Sequence, residues 1–219
     1  MMKNIQVIKI GASSVIQNSC VNQEFLDALA CDVQRMAQED IHSLLVVSGA
    51  IRLGMLELGY AVQPSELAGL QRCAGVGQPL LIQEYQRHLK KYNLISSQLL
   101  VTYHNLEDRA EEENIVRRLR DDVDNGIITL INYNDGIDSR GIGIYDQDGK
   151  IRIRDNDMLA TAITKYICAK RLVMITNPQS NGTMGGGTTK KEAIRVLNEK
   201  GIEVIVGECR RRLYDICNP

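Results

Sequence analysis

The stretch Ile5-Gln6-Val7-Ile8-Lys9-Ile10-Gly11, running on into Ala12-Ser13-Ser14-Val15, decides the fold. A short β-branched run that meets a glycine reads as a buried strand ending in a turn. The same unit recurs along the chain. Residues 43–47 form a second apolar run that ends in Ser48-Gly49-Ala50, and 94–101, 127–131, 172–176 and 202–206 read as further strands. Helical patterns fill the gaps. Asn22 is placed to cap a helix carrying Phe25, Leu26, Leu29, Val33, Met36 and Ala37 on one face. A helix follows Ser48-Gly49-Ala50. Another begins after Pro64 with Ser65 as its cap, and Gly75, Gly77 and Pro79 should interrupt it before it resumes towards Lys91. Residues 107–125 carry Ile115, Leu119 and Val123 on one side and stop at Asn125-Gly126. Residues 142–153 alternate around Asp148-Gly149 as a surface hairpin. Residues 157–170 and 190–200 are helical, the second stopped by Gly201.

Strands alternating with helices imply right-handed crossovers and a mainly parallel sheet covered on both faces, an α/β chain. In such sheets ligands gather beyond the carboxyl ends of the strands. That edge carries Lys9 to Ser13, Ser48 to Ala50, Asn132 to Asp135, and Thr176-Asn177. Polar and glycine residues cluster there, so the site is expected there.

Composition narrows the partners. The chain has 219 residues, 44% of them hydrophobic and 24% charged, which suits one globular domain. Its formal net charge of -1 argues against a nucleic-acid or membrane surface as partner. Tryptophan is absent and Phe25 is the only phenylalanine, which leaves little to stack on bases. None of the cysteines falls in a C-x-x-C pair and no His lies at zinc-site spacing, so free thiols in a reducing cytoplasm are expected. Cys31, Cys73 and Cys168 fall in apolar helical patterns, where a thiol acts as a small hydrophobe. The opening MMKNIQVIKIG is too short and polar for a signal peptide, and no apolar run approaches the roughly 20 residues that cross a bilayer.

Two familiar phosphate loops are excluded. Residues 182–190 (GTMGGGTTK) place Thr188 where a P-loop requires lysine, and no G-x-G-x-x-G follows the first strand. The remaining features suit phosphoryl transfer of another kind, which needs cations and amide donors to spread charge over the moving group. Lys9, at the end of an apolar strand, is either an edge residue or a deliberate charge over a site. Gly185-Gly186-Gly187 before Thr188-Thr189-Lys190 offers backbone N–H groups and a second lysine to a phosphate, or else is a flexible loop with a capping threonine. Asp155-Asn156-Asp157 is either a holder of magnesium or of a lysine ammonium, or a simple N-cap.

Taken together and in order, these segments resemble the amino acid kinase family, and within it the glutamate 5-kinases. The match runs through IKIGASSV (8–15), VVSGAIRLGMLELGY (46–60), GVGQPLLIQEY (75–85), LLVTYHNLEDR (99–109), LINYNDGID (130–138), RDNDMLATAI (154–163) and GGGTTKKEA (185–193). The resemblance implies a three-layer αβα sandwich over residues 1–219, with an amino-acid-binding lobe to about residue 170 and a shortened nucleotide lobe over 171–219. It implies ATP-dependent phosphorylation of the side-chain carboxylate of L-glutamate to L-glutamyl 5-phosphate, a step towards proline, with magnesium accompanying ATP. By position it makes Lys9, Lys190 and Asp157 the catalytic groups. Ser48, Gly49, Asn132, Asp135 and Asn156 would bind the amino acid, with Asp135 facing its ammonium group. Lys9, Gly11, Thr176, Asn177, Gly186, Gly187, Thr188 and Lys190 would contact the nucleotide, and Asp155 would help place its magnesium. A homodimer or homotetramer is expected by resemblance only.

The chain departs from that family pattern in several places. Family members carry T-D-x-x-G-L-Y after the strand at 172–176 and then a long segment of nucleotide pocket, whereas here Thr176-Asn177 runs through Pro178 to Asn181 and into Gly182. Ala12 stands where a threonine is typical, and the chain ends soon after Arg210-Arg211-Arg212. Two other readings therefore stand beside the first. One is a non-catalytic relative that binds an amino acid or a partner. The other is a kinase for another small acid such as aspartate, acetylglutamate, carbamate or a phosphonate. Arg210 to Arg212 reads as a solvated tail or subunit contact, Asp108-Arg109 as a structural ion pair, and His42, His88 and His104 as exposed-face or core-packing residues.

Overall fold

The computed structural model describes residues 3–138, 156–177, 191 and 194–217. Its centre is a sheet in the order β5-β6-β4-β1-β7-β8, where β1 is Asn4–Ile10, β4 Ile41–Val47, β5 Ser96–Val101, β6 Ile128–Tyr133, β7 Arg171–Thr176 and β8 Glu203–Glu208. Every pairing in it is parallel. A separate small hairpin, β2 (Ile16–Gln17) with β3 (Cys20–Val21), follows the short helix α1 (Ala12–Val15).

Both faces of the sheet are covered, for a reason visible in β1. Ile8 and Ile10 point to one face, packing with Leu45, Val47, Val173 and Ile175 against α2 (Gln23–Gln38), α4 (Leu67–Lys91) and α8 (Leu213–Cys217). Ile5 and Val7 point to the other, with Leu44, Val46, Leu172 and Met174 against α6 (Arg109–Asp124) and α7 (Asn156–Tyr166). Successive strand residues alternate between faces, so a strand buried on both must be largely apolar, and the buried Gln6 of β1 is satisfied by donating to Ser43 Oγ at 3.0 Å. By that alternation Lys9 shares the face of Val7 and is directed at α7.

The expected punctuation holds in several places. The Asn22 side chain accepts from the Phe25 N–H at the start of α2. Gly126 and Gly201 both take φ of +69°, the left-handed geometry that ends a helix. The hairpin expected over 142–153 lies outside the described residues.

Five expectations are corrected. Gly75, Gly77 and Pro79 do not interrupt a helix: α4 runs unbroken from Leu67 to Lys91, and Glu66, not Ser65, is its N-cap. The glycines serve packing instead. A Cβ on Gly77 would lie 1.8 Å from the Ala50 carbonyl oxygen, and one on Gly54 would lie 1.8 Å from that of Cys73, so α3 (Ala50–Glu57) and α4 touch backbone to backbone. Cys168 is exposed rather than packed, because α7 ends at Tyr166 and Cys168 takes a left-handed turn at φ 54°. Asp108 caps α6 by accepting from the Glu111 N–H, while Arg109 pairs with Glu113, so the two are not an ion pair. Arg212 is no solvated tail residue. Its guanidinium forks onto the buried Asp32 carboxylate, at 3.0 Å from Nε to Oδ2 and 2.5 Å from Nη2 to Oδ1, and pins α8 to α2.

The glycine contact gives a contrast between neighbours. Gly77→Ala should destabilise the fold by about 3 kcal/mol through overpacking, whereas Gly75→Ala, with nothing within 4 Å of the added Cβ, should stabilise it by up to about 1 kcal/mol. Urea unfolding of both variants checks the difference in sign.

Candidate functional site

The carboxyl ends of β1, β4, β6 and β7 share one edge of the sheet, and the first turn of α7 lies across it. Lys9 Nζ sits 2.6 Å from Asp157 Oδ1, and both side chains are nearly buried, 11% and 1% exposed. The Lys9 side chain leaves β1 on the α7 face, and Asp157 occupies the first turn of α7, where a carboxylate is favoured by the helix dipole. A charged pair this deep is a poor source of stability, since desolvation offsets most of the attraction. Its position over the strand ends gives it another use, a cation held in one place.

Beside it lies a run of side-chain amides. Asn156 Nδ2 donates to the Val47 carbonyl at 2.8 Å, to Ser48 Oγ at 2.7 Å and to Asn132 Oδ1 at 2.9 Å. Asn132 Oδ1 also accepts from the Tyr133 N–H at 2.9 Å, and Asn132 Nδ2 donates to Gln78 Oε1 at 2.8 Å. The network thus crosses from α7 through β4 and β6 to α4. At its far end the Gln78 Nε2 group is buried and meets no acceptor among the described residues. A buried donor left unpaired costs about 1–3 kcal/mol, so it marks a place of interest. Gln78 lies within GVGQPLLIQEY, where the sequence by itself gives it no role.

Gly49, at the N-cap of α3, takes φ +126° and ψ 0°, a conformation that favours glycine. Gly11 has an ordinary φ of -72°, and its N–H donates to the Ile175 carbonyl at 3.1 Å. That N–H is therefore engaged within the strand edge. Asn177 Nδ2 donates to the Ser13 carbonyl at 3.2 Å and ties the end of β7 to the turn after β1, while the Thr176 carbonyl accepts from the Cys209 N–H at 2.8 Å. A cavity of about 350 Å³ opens next to them between α2 and the turn after β8, with Asn177, Cys209 and Arg212 in its wall. Asp155, Gly186, Gly187, Thr188 and Lys190 lie outside the described residues. Among the described residues no group of three or more carboxylate, imidazole or thiol side chains is placed to hold a metal ion. No described helix is long and apolar enough to cross a membrane.

Asp135 follows β6 in the turn that begins at Asn134 and borders a second cavity, of about 500 Å³, between α4 and the edge strand β5. Burial, and then the nearby charge of Asp138, push its carboxyl up to about 7. The Asp138 carboxylate itself accepts from the Tyr103 N–H at 2.5 Å. An acid whose pKa is higher folded than unfolded favours the unfolded state as pH rises from about 4 to about 7. Carbon NMR of the Asp135 carboxyl should titrate with a midpoint near 7. Asp135→Asn should raise the melting temperature at pH 8 and leave it unchanged at pH 3; a midpoint near 4 would contradict this environment.

The amino acid kinase family model matches residues 4–180. The glutamate 5-kinase of Bifidobacterium adolescentis is 33% identical over 226 residues, covering 91% of this chain and 60% of that protein. The glutamate 5-kinase of Bacillus anthracis is 30% identical over 190 residues, covering 83% of this chain and 49% of that one. The chain thus spans about half the length of the Bacillus relatives it matches. Among solved structures, the carbamate kinase from Giardia lamblia bound to AMP-PNP superposes with a TM-score of 0.64 at 12% identity, covering 98% of this chain and 95% of that one. An isopentenyl phosphate kinase gives 0.60 at 12% identity, covering 95% and 92%. Those identities speak for the fold alone, and the fold is the same layered one. The sheet, the order of the motifs and the family match agree, and the chain belongs to the amino acid kinase family.

Proposed function

We propose that the chain is an ATP-dependent kinase whose acceptor is the carboxylate of a small amino acid, with the side chain of L-glutamate as the acceptor group and L-glutamyl 5-phosphate as product, a reaction that leads towards proline. The observation that carries this reading is the nearly buried Lys9–Asp157 pair over the strand ends, next to the amide network of Asn156, Asn132 and Ser48. The names of the relatives support the choice of glutamate.

In this reading a carboxylate oxygen of glutamate attacks the γ-phosphorus of ATP. A new O–P bond forms, the bond from that phosphorus to the β,γ-bridging oxygen breaks, and its electron pair leaves on ADP. The acceptor is already ionised, so no base has to remove a proton. What the protein supplies is alignment and charge. The Lys9 ammonium, held by Asp157, lies where the γ-phosphoryl oxygens gather negative charge, and because it is fixed beforehand it needs no reorganisation during transfer. Lys190 would supply the second cation. Ser48, Gly49, Asn132 and Asn156 would shape the acceptor pocket, and Asp135 would face the ammonium group. Gly11 would contribute the room left by its missing side chain, with Thr176, Asn177, Gly186, Gly187 and Thr188 flanking the nucleotide. Magnesium would arrive on the ATP phosphates, with Asp155 near its place.

Trapping the acyl phosphate with hydroxylamine checks the reading. Wild-type protein with ATP and glutamate should give the hydroxamate, and Lys9→Met should lower the rate by at least about 100-fold while remaining folded. Glutamate should outpace aspartate and N-acetylglutamate. Equal rates on all of these acids would overturn the choice of glutamate, and no trapped product from folded wild-type protein would overturn the kinase reading.

A further inference from the structure

We infer that Gln78 is a specificity-determining residue of the acceptor site, whose Nε2 group donates to the α-carboxylate of the incoming amino acid beside Asp135. The inference rests on the acceptor reading just given and extends it to a residue on α4.

The orientation of the Gln78 amide follows from backbone groups at the other end of the network. The Val47 carbonyl can only accept, which makes the nitrogen of Asn156 the atom that faces it, at 2.8 Å. The Tyr133 N–H can only donate, which makes the oxygen of Asn132 the atom that faces it, at 2.9 Å. The Asn132 nitrogen must then point to α4, where it meets Gln78 Oε1 at 2.8 Å. Turning the Gln78 amide over would set two donors against each other. Its Nε2 is therefore a fixed donor, and it is buried and without an acceptor among the described residues.

Gln78 and Asp135 both border the 500 Å³ cavity between α4 and β5, together with Ile82, Leu100 and Tyr133. The lining residues thus bring together the Asp135 carboxyl group and the Gln78 amide, whose donor is sealed just behind the wall, a pair complementary to an ammonium and a carboxylate on one carbon atom. The position of Gln78 is also held firmly. Its neighbour Gly77 rests against the backbone of Ala50 and Gly54, which sets the height of α4 above the strand ends. A long side chain anchored at its oxygen and rooted in such a contact has little freedom to turn towards another partner.

The test compares L-glutamate with 4-aminobutyrate, which is glutamate without its α-carboxylate. The ratio of kcat/KM for the two compounds reports recognition of that group and is insensitive to general loss of activity. Gln78→Glu keeps an oxygen for Asn132 but replaces the donor with an acceptor, and Gln78→Met removes both functions at similar length. In each folded variant the ratio should fall at least about tenfold, because the loss on glutamate exceeds any loss on 4-aminobutyrate. Melting curves identify folded protein, and either variant suffices. An unchanged ratio would overturn the role of Gln78 while leaving the kinase reading intact. Failure of wild-type protein to phosphorylate glutamate would overturn both.

Discussion

Two opposite charges, Lys9 and Asp157, meet at 2.6 Å with almost no solvent around them, and the arrangement of the molecule follows from the need to hold them there. Taking each charge from water costs several kcal/mol, and a pair of apolar residues of similar size would serve the core as well or better. The pair joins the central strand β1 to the first turn of α7, and so fixes where the helix begins relative to the strand ends. Asn156 precedes Asp157 and is thereby brought to Val47, Ser48 and Asn132. One ion pair thus sets both a cation and an amide network at the same edge. This is the kind of local cost that functional sites carry while the rest of the chain is consistent with its fold.

The sheet provides what the pair needs. Parallel strands all deliver their carboxyl ends to one side, and β1 lies between β4 and β7 in the sheet order. Residues far apart in sequence, such as Ser13 and Asn177 or Asn132 and Gln78, become neighbours because their strands and helices end together. On the α4 side, positioning relies on the absence of side chains. Gly54 and Gly77 allow α3 and α4 to touch, and any larger residue there would lift Gln78 away from Asn132.

Much of this was legible in the sequence, for reasons that can be named. The strands at 5–10, 43–47 and 172–176 are mostly apolar because both faces are buried, and the Asn22 cap and the Gly126 stop follow local backbone chemistry. Lys9 stood out because it broke such a run. What stayed hidden depends on partners distant in sequence. Gly75, Gly77 and Pro79 look like breakers along one dimension, yet Gly77 answers to Ala50 across a helix pair. Arg212 looks like a charged tail until α8 is laid on α2 and Asp32 appears beneath it. Gln78 lies inside a recognisable motif, but its bond to Asn132 joins residues far apart in sequence and is seen only in the fold. Aspartates with one letter in common are also separated by environment alone: Asp135 is pushed up to about 7, while the hydrogen bonds from Lys91 and Tyr92 hold Asp27 down at about 2.

The central claim is that a carboxylate oxygen of the acceptor attacks phosphorus at the Lys9 edge. It is tested most directly with glutamate labelled with oxygen-18 in its side-chain carboxylate. Hydroxylamine displaces phosphate from an acyl phosphate at the carbonyl carbon, so the released phosphate keeps the bridging oxygen that came from glutamate. Phosphorus NMR should therefore show released phosphate carrying one labelled oxygen. Released phosphate without label would mean that water, not the amino acid, attacks ATP, and would contradict the account.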